Sequence, residues 1–175
     1  MDRDEQKLRD DIALVALCHE YCVTVDSAES METTDFAHRV LALLSRIYVT
    51  ALDLPDAPED AVDIAGVLDE EQYTSVAASL ARIFGEHDTY LDASHEDMKY
   101  SETPVAASLS EHLADLYQDF YDFTALAREL PADSLYEAVA EMRQRFAQYW
   151  SNTLCDAMRV LNSLYMSGVL AQDEL

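Results

Sequence analysis

The chain has 175 residues, 35 of them Asp or Glu against 11 Lys or Arg, for a formal net charge of −24. That field repels nucleic-acid phosphates and anionic lipid, so a nucleic-acid or membrane-surface partner is not expected. Three glycines and four prolines are too few for a many-turned β architecture or a linker-rich chain, and 50% apolar residues argue against disorder. Folded-surface scaling leaves about 70% of the unfolded surface buried, enough for a core without staples.

Helical periodicity dominates, and the expected fold is all-α: an antiparallel bundle of about five helices with no sheet, residues 1–175 forming a single helical domain. The charged start Met1-Asp2-Arg3-Asp4-Glu5 carries no apolar signal core, and Ile12 to Val25 is broken by His19, Glu20 and Thr24. A cytoplasmic chain is the expectation. Cys18, Cys22 and Cys155 make an odd set without framework spacing, which reads as reduced, mostly buried thiols.

The first helix is predicted from about Asp4 to Ser30. It is apolar around most of its circumference, which predicts a central position. His19 shares an angle with Ile12 and Val23, with Cys22 and Asp26 pointing the same way. That set has metal-ligand chemistry, but one helix supplies half a site at most, and a satisfied core histidine is the expectation. The second helix is predicted from Thr33 or Thr34 as N-cap to about Asp53, stopped by Leu54-Pro55-Asp56-Ala57-Pro58. Arg39 and Arg46 share an angle on it. They are expected, with Arg143, to bond acids of neighbouring helices; a small anion pocket is the alternative.

The third helix begins at an Asp69…Gln72 capping box and ends near Phe84-Gly85. Acids crowd the links on either side of it, from Asp53 to Glu71 and from Glu86 to Glu102, without an EF-hand's spacing. The segment from Glu86 to Pro104 is expected to be irregular. His87-Asp88 has the form of a metal-binding dipeptide, for which His38 and Asp115 are nominal partners.

The fourth helix opens with a Ser108…Glu111 box and runs to about Leu130. Leu109, Leu113, Leu116, Phe120, Phe123 and Ala127 form its apolar stripe. Glu111, Asp115, Gln118, Asp119 and Asp122 lie within about 100° of each other on the other side, at 3.6 residues per turn. A solvated face is the expectation; a groove is the alternative if another element covers it. The fifth helix starts at Pro131 with a Ser134…Glu137 box and continues past Trp150 towards Tyr165, with Arg143 at the flank of its apolar seam.

Taken in order, Glu20-Tyr21-Cys22, Leu41-Ala42-Leu43-Leu44 with Tyr48 and Leu54-Pro55, Tyr73, Asp88 with Tyr90, the run from Leu109 to Asp119, and Phe146-Ala147-Gln148-Tyr149-Trp150 resemble the family known as domain of unknown function 5063. Ser151 stands where the family pattern has glycine, and a histidine expected near the C-terminus is missing. The resemblance implies a bacterial helical domain and no activity. The chain is therefore expected to be a non-catalytic module binding a protein or small molecule, a homodimer being possible. Its candidate ligand-binding residues are Glu20, Tyr21, Asp115, Tyr117, Gln118, Asp119, Arg143 and Trp150, with no cofactor and no metal. The alternatives are a metal-dependent hydrolase using helix-four carboxylates with His19 or His112, and an acidic assembly chaperone or nucleic-acid mimic.

Overall fold

The computed structural model describes residues 3–54, 64–92, 105–131 and 134–172. Its helices are α1 (Arg3–Asp26), α2 (Thr33–Asp53), α3 (Glu70–Phe84), α4 (Leu109–Glu129), α5 (Leu135–Arg145), α6 (Ser151–Ser167) and the short α7 (Val169–Gln172). Among the described residues none is long and apolar enough to cross a membrane. The stop sequence after Leu54, most of the first acidic link and much of the second lie outside the described residues.

A small sheet corrects the expectation of none. β1 (Thr89–Asp92) pairs antiparallel with β2 (Val105–Ser108), Tyr90 opposite Ala107. Four-residue strands are too short to display an alternating pattern, so periodicity could not reveal them. The hairpin delivers Asp88 to the start of α4. Its carboxylate accepts the Ser110 N–H at 2.7 Å and the hydroxyls of Ser108 and Ser110 at 2.8 Å, and Leu109 N–H donates to Asp88 O at 2.9 Å. A carboxylate there satisfies orphan amides and suits the positive end of the helix dipole. Ser108 Oγ is only 3.5 Å from Glu111 N, so the long-range Asp88 cap is the stronger of the two.

Three other helix starts divide in the same way. The Asp69–Gln72 box forms in full. The Ser134…Glu137 box does not: Ser134 makes no side-chain cap, and Glu137 N–H bonds the Ser134 carbonyl instead. α2 begins at Thr33, with Glu32 rather than a threonine at the N-cap position.

The predicted fifth helix is one continuous run interrupted by a π-turn at Phe146–Trp150. Its core residues Ala138, Met142, Phe146, Trp150 and Leu154 recur every four positions. In an ideal helix each such step drifts by about 40°, so four steps would carry the stripe about 160° round the axis. The wider π-turn absorbs that drift and keeps Phe146 and Trp150 on one side.

α4 packs against α1, α3, α5 and α6, and α2 against α1 and α6. One core draws Tyr21, Phe36, Ile47, Phe84, Phe120, Trp150 and Leu161 from these helices. α4, not α1, is the central helix. Leu8, Ile12 and Val23 of α1 are 42–52% exposed, and His19 lies on that open face with Nδ1 3.1 Å from Arg128 Nη2. His19 is therefore a surface histidine, not a core one. Cys18 and Cys22 are buried thiols and Cys155 an exposed one.

Candidate functional site

Among the described residues, the features that could carry function include the polar seam along α4 and a groove between α2 and α6.

The seam follows from the acid row, but its members have different fates. Asp115, one turn beyond Glu111, accepts the Tyr73 hydroxyl of α3 at 2.7 Å. Burial, the Asp115 bond and the nearby Glu111 hold the Tyr73 phenol well above its ordinary range. Gln118 is half-buried. Asp119 lies 3.7 Å from Arg145 Nη1, and Arg145 also donates to Glu141 at 3.1 Å and to the Ile64 carbonyl at 2.8 Å. Burial pushes the Asp119 carboxyl from its ordinary 3.8 up to about 6; Arg145 opposes the rise, while Asp115 and Asp122 add to it.

Asp122 overturns the solvated-face expectation most sharply. It is 4% exposed, and its Oδ1 accepts the backbone N–H groups of Val67 and Leu68, each at 2.9 Å. The segment at Ile64–Leu68 thus crosses the α4 face that the sequence assigns to water, held by Asp122 at one end and Arg145 at the other.

The remaining candidates serve the core and its edges. Tyr21 is fully buried, donates to the Leu113 carbonyl at 2.9 Å and meets Phe120 edge-on at 5.1 Å. Tyr117 donates to Asp26 Oδ1 at 2.9 Å and stacks on Tyr121. Trp150 is buried, lies edge-on to Phe120 and Phe146, and its indole N–H reaches the Met142 carbonyl at 3.3 Å. Arg143 donates to the Leu54 carbonyl at 3.4 Å and lies over the Phe146 ring. Glu20 is exposed. The eight candidates therefore divide among core, seam and helix ends.

His112 Nε2 is 2.7 Å from the Tyr90 hydroxyl, and His19 faces Arg128, so neither imidazole joins the acids. His38 lies against Tyr165, Asp88 is the α4 cap and Asp115 holds Tyr73, so the dipeptide of His87 and Asp88 gathers no set. Among the described residues no three His, Cys, Asp or Glu side chains are placed to hold a metal ion.

The groove was not among the sequence candidates. Tyr48 and Val49 of α2 face Leu154, Cys155, Met158 and Arg159 of α6 across a cavity of about 510 Å³, with Ser45 and Asn162 also on its walls. Among the described residues, no carboxylate lines it. Arg39 and Arg46, expected to pair with acids, form no such pair among the described residues; both are exposed on the adjoining strip of α2.

The family pattern described as domain of unknown function (DUF5063) matches residues 6–167. The chain belongs to this family. Among solved structures, the DUF5063 chain is similar to the crystal structure of protein BF1032 from Bacteroides fragilis, with 27% identity and a TM-score of 0.73 over 87% of this chain and 90% of that one. No curated protein matches. The likeness extends the helical arrangement of this DUF5063 chain to a second protein and assigns no chemistry to seam or groove.

Proposed function

We propose that this DUF5063 chain is a non-catalytic module that binds a protein or small ligand, and that the α2–α6 groove is its binding surface. One observation carries the reading: the carboxylates of the α4 seam and the α2–α6 groove lie in different places. Asp26, Asp115, Asp119 and Asp122 are each engaged by a partner from another element of the fold. The groove has what ligand sites have, a mostly apolar wall with a few polar groups and a volume within the usual ~300–1,000 Å³.

Backbone amide NMR of the full chain against a fragment mixture, and separately against Mn2+, tests it. Shifts from fragments should cluster on Tyr48, Val49, Met158 and Asn162. Paramagnetic broadening centred on Asp115 and Asp119 at micromolar Mn2+ would overturn the reading in favour of metal-assisted chemistry.

A further inference from the structure

α1 packs against α2 and α4, and its Leu14, Leu17, Cys18, Tyr21, Val25 and Ala28 are buried. The side it leaves open has an order of its own. Arg9, Ile12, Ala16, His19, Val23 and Asp26 are all exposed and follow one another at steps of three and four, the a and d spacing of a heptad seam. The outer face of an ordinary amphipathic helix is polar, but here Ile12 and Val23 are about half exposed, with Leu8 beside them.

Charge also sets this strip apart. The chain carries −24 overall. The strip holds Arg9 at one end and Asp26 at the other, with Glu20 on its flank and Arg128 of α4 against His19, so its formal charges cancel. Arg9 forms no ion pair among the described residues.

The pattern is complementary to itself in one direction. When a second α1 runs antiparallel about a two-fold axis at the middle of the strip, Arg9 meets Asp26, Ile12 meets Val23 and Ala16 meets His19, each twice by symmetry. Ala16 leaves room for the imidazole, which Arg128 already holds by Nδ1. Glu20 comes opposite Ala13 rather than another acid. Asp26 accepts the Tyr117 hydroxyl on Oδ1, and a carboxylate has a second oxygen to take a guanidinium. A parallel pair would instead set Arg9 on Arg9, His19 on His19 and Asp26 on Asp26, like charge on like.

We propose that the open face of α1 is a homodimer interface, with a second copy of the chain laid antiparallel across it. This goes beyond ligand binding in the α2–α6 groove and does not depend on it. The strip is about 26 Å long at 1.5 Å per residue and one helix wide. That falls short of the ~800 Å² per partner of a standard interface, so the dimer is a reversible one.

Sedimentation equilibrium of the full chain in 0.5 M KCl tests this, since that salt shortens the screening length to about 4 Å and quiets the repulsion between two acidic chains. A monomer–dimer equilibrium populated near about 100 µM chain is expected. Ala16→Gln, which fills the space opposite His19, and Arg9→Asp should each raise the dissociation constant tenfold or more. The thermal midpoint of the dilute monomer should stay within about 2 °C of wild type, as for other surface substitutions. Arg39→Asp makes the same charge change on α2 and should raise the constant less than threefold. Asp26→Arg should weaken the dimer as Arg9→Asp does. The two together in one chain should bring the constant back within threefold of wild type, because each new acid then faces a new base on the other copy. In a Cys155→Ser background, oxidation should link Ile12→Cys chains to Val23→Cys chains when mixed, but neither to itself. A chain still monomeric at about 1 mM would overturn the proposal and leave the face to a different protein. A dimer broken by Val49→Asp and not by Ala16→Gln would overturn it by giving the contact to the α2–α6 groove. A charge swap that folds but fails to restore pairing, or Ile12→Cys chains that link to themselves, would overturn the antiparallel register.

Discussion

Asp122 on α4 accepts the backbone N–H of Leu68 at 2.9 Å across 54 residues of chain, and the same oxygen takes the N–H of Val67. This buried carboxylate fixes the segment before α3 onto the central helix. Asp122→Ala would leave two amides without their acceptor, each costing about 1–3 kcal/mol. A loss of about 3 kcal/mol is expected, or roughly 6–12 °C in Tm for a chain of this size. Asp122→Asn keeps an acceptor oxygen and should lose about half as much. Urea unfolding followed by circular dichroism measures both; equal stability of Asp122→Ala and wild type would show that Asp122 does not hold the segment.

Asp119 gives a pH signature of unusual sign. Its native carboxyl titrates near 6, above its ordinary 3.8, because burial disfavours the charge. Between those values the folded chain holds a proton that the unfolded chain has released, so this group's contribution to stability falls as pH rises from about 4 to about 6 and then stays low. Asp119→Asn removes the ionisation and leaves Arg145 its bonds to Glu141 and the Ile64 carbonyl. The variant is expected to be more stable than wild type by about 1–2 kcal/mol at pH 7.5, the gap closing by pH 4. Paired urea titrations at the two pH values check it. A variant less stable at pH 7.5 would mean that the Arg145 attraction outweighs burial.

What the sequence makes legible is what short-range chemistry specifies. The Leu109–Phe123 stripe, the Asp69 box and the end of α3 at Phe84 follow from spacing and capping, and the structure shows them where spacing puts them. Burial of Asp122 is not legible, because it depends on amides 54 residues away that carry no side-chain signal. The Asp88 cap of α4 is hidden for the same reason. The exposure of Ile12, Val23 and His19 is hidden too, since an all-round apolar helix does not say which side its neighbours leave open. Glu141 and Arg145 are four apart and could have been paired from sequence; that Arg145 also reaches Ile64 could not. The groove escapes sequence reading because it belongs to two helices separated by about a hundred residues.

Trp150 shows what the π-turn accomplishes. The wider turn sets its ring against Phe120 and Phe146, with centroids 5.3 and 4.6 Å away, and its N–H on the Met142 carbonyl. Trp150→Ala should cost about 3–5 kcal/mol as a core cavity. Trp150→Phe, losing the hydrogen bond and part of the volume, should cost about 1–2 kcal/mol. Circular dichroism against urea reads both. Because Trp150 is the single tryptophan and is 1% exposed, native emission should be blue-shifted and move red on unfolding. Emission already at the solvent-exposed wavelength in the native state would contradict its place in the core.

Two tyrosine hydroxyls tie α1 to α4, and their surroundings rank them. Tyr21 donates to the Leu113 carbonyl inside the core, and burial holds its phenol far above the ordinary range. Tyr117 donates to Asp26, whose carboxylate is exposed and finds water when the phenol is removed. Tyr21→Phe should therefore cost about 1 kcal/mol, and Tyr117→Phe no more than about 0.5 kcal/mol, since the net worth of a hydrogen bond depends on what replaces it. Neither substitution changes the packed volume, so the midpoint should shift while the dependence of unfolding free energy on urea stays the same. Reversal of the order in matched urea titrations would place the α1–α4 tie at Asp26 rather than in the core.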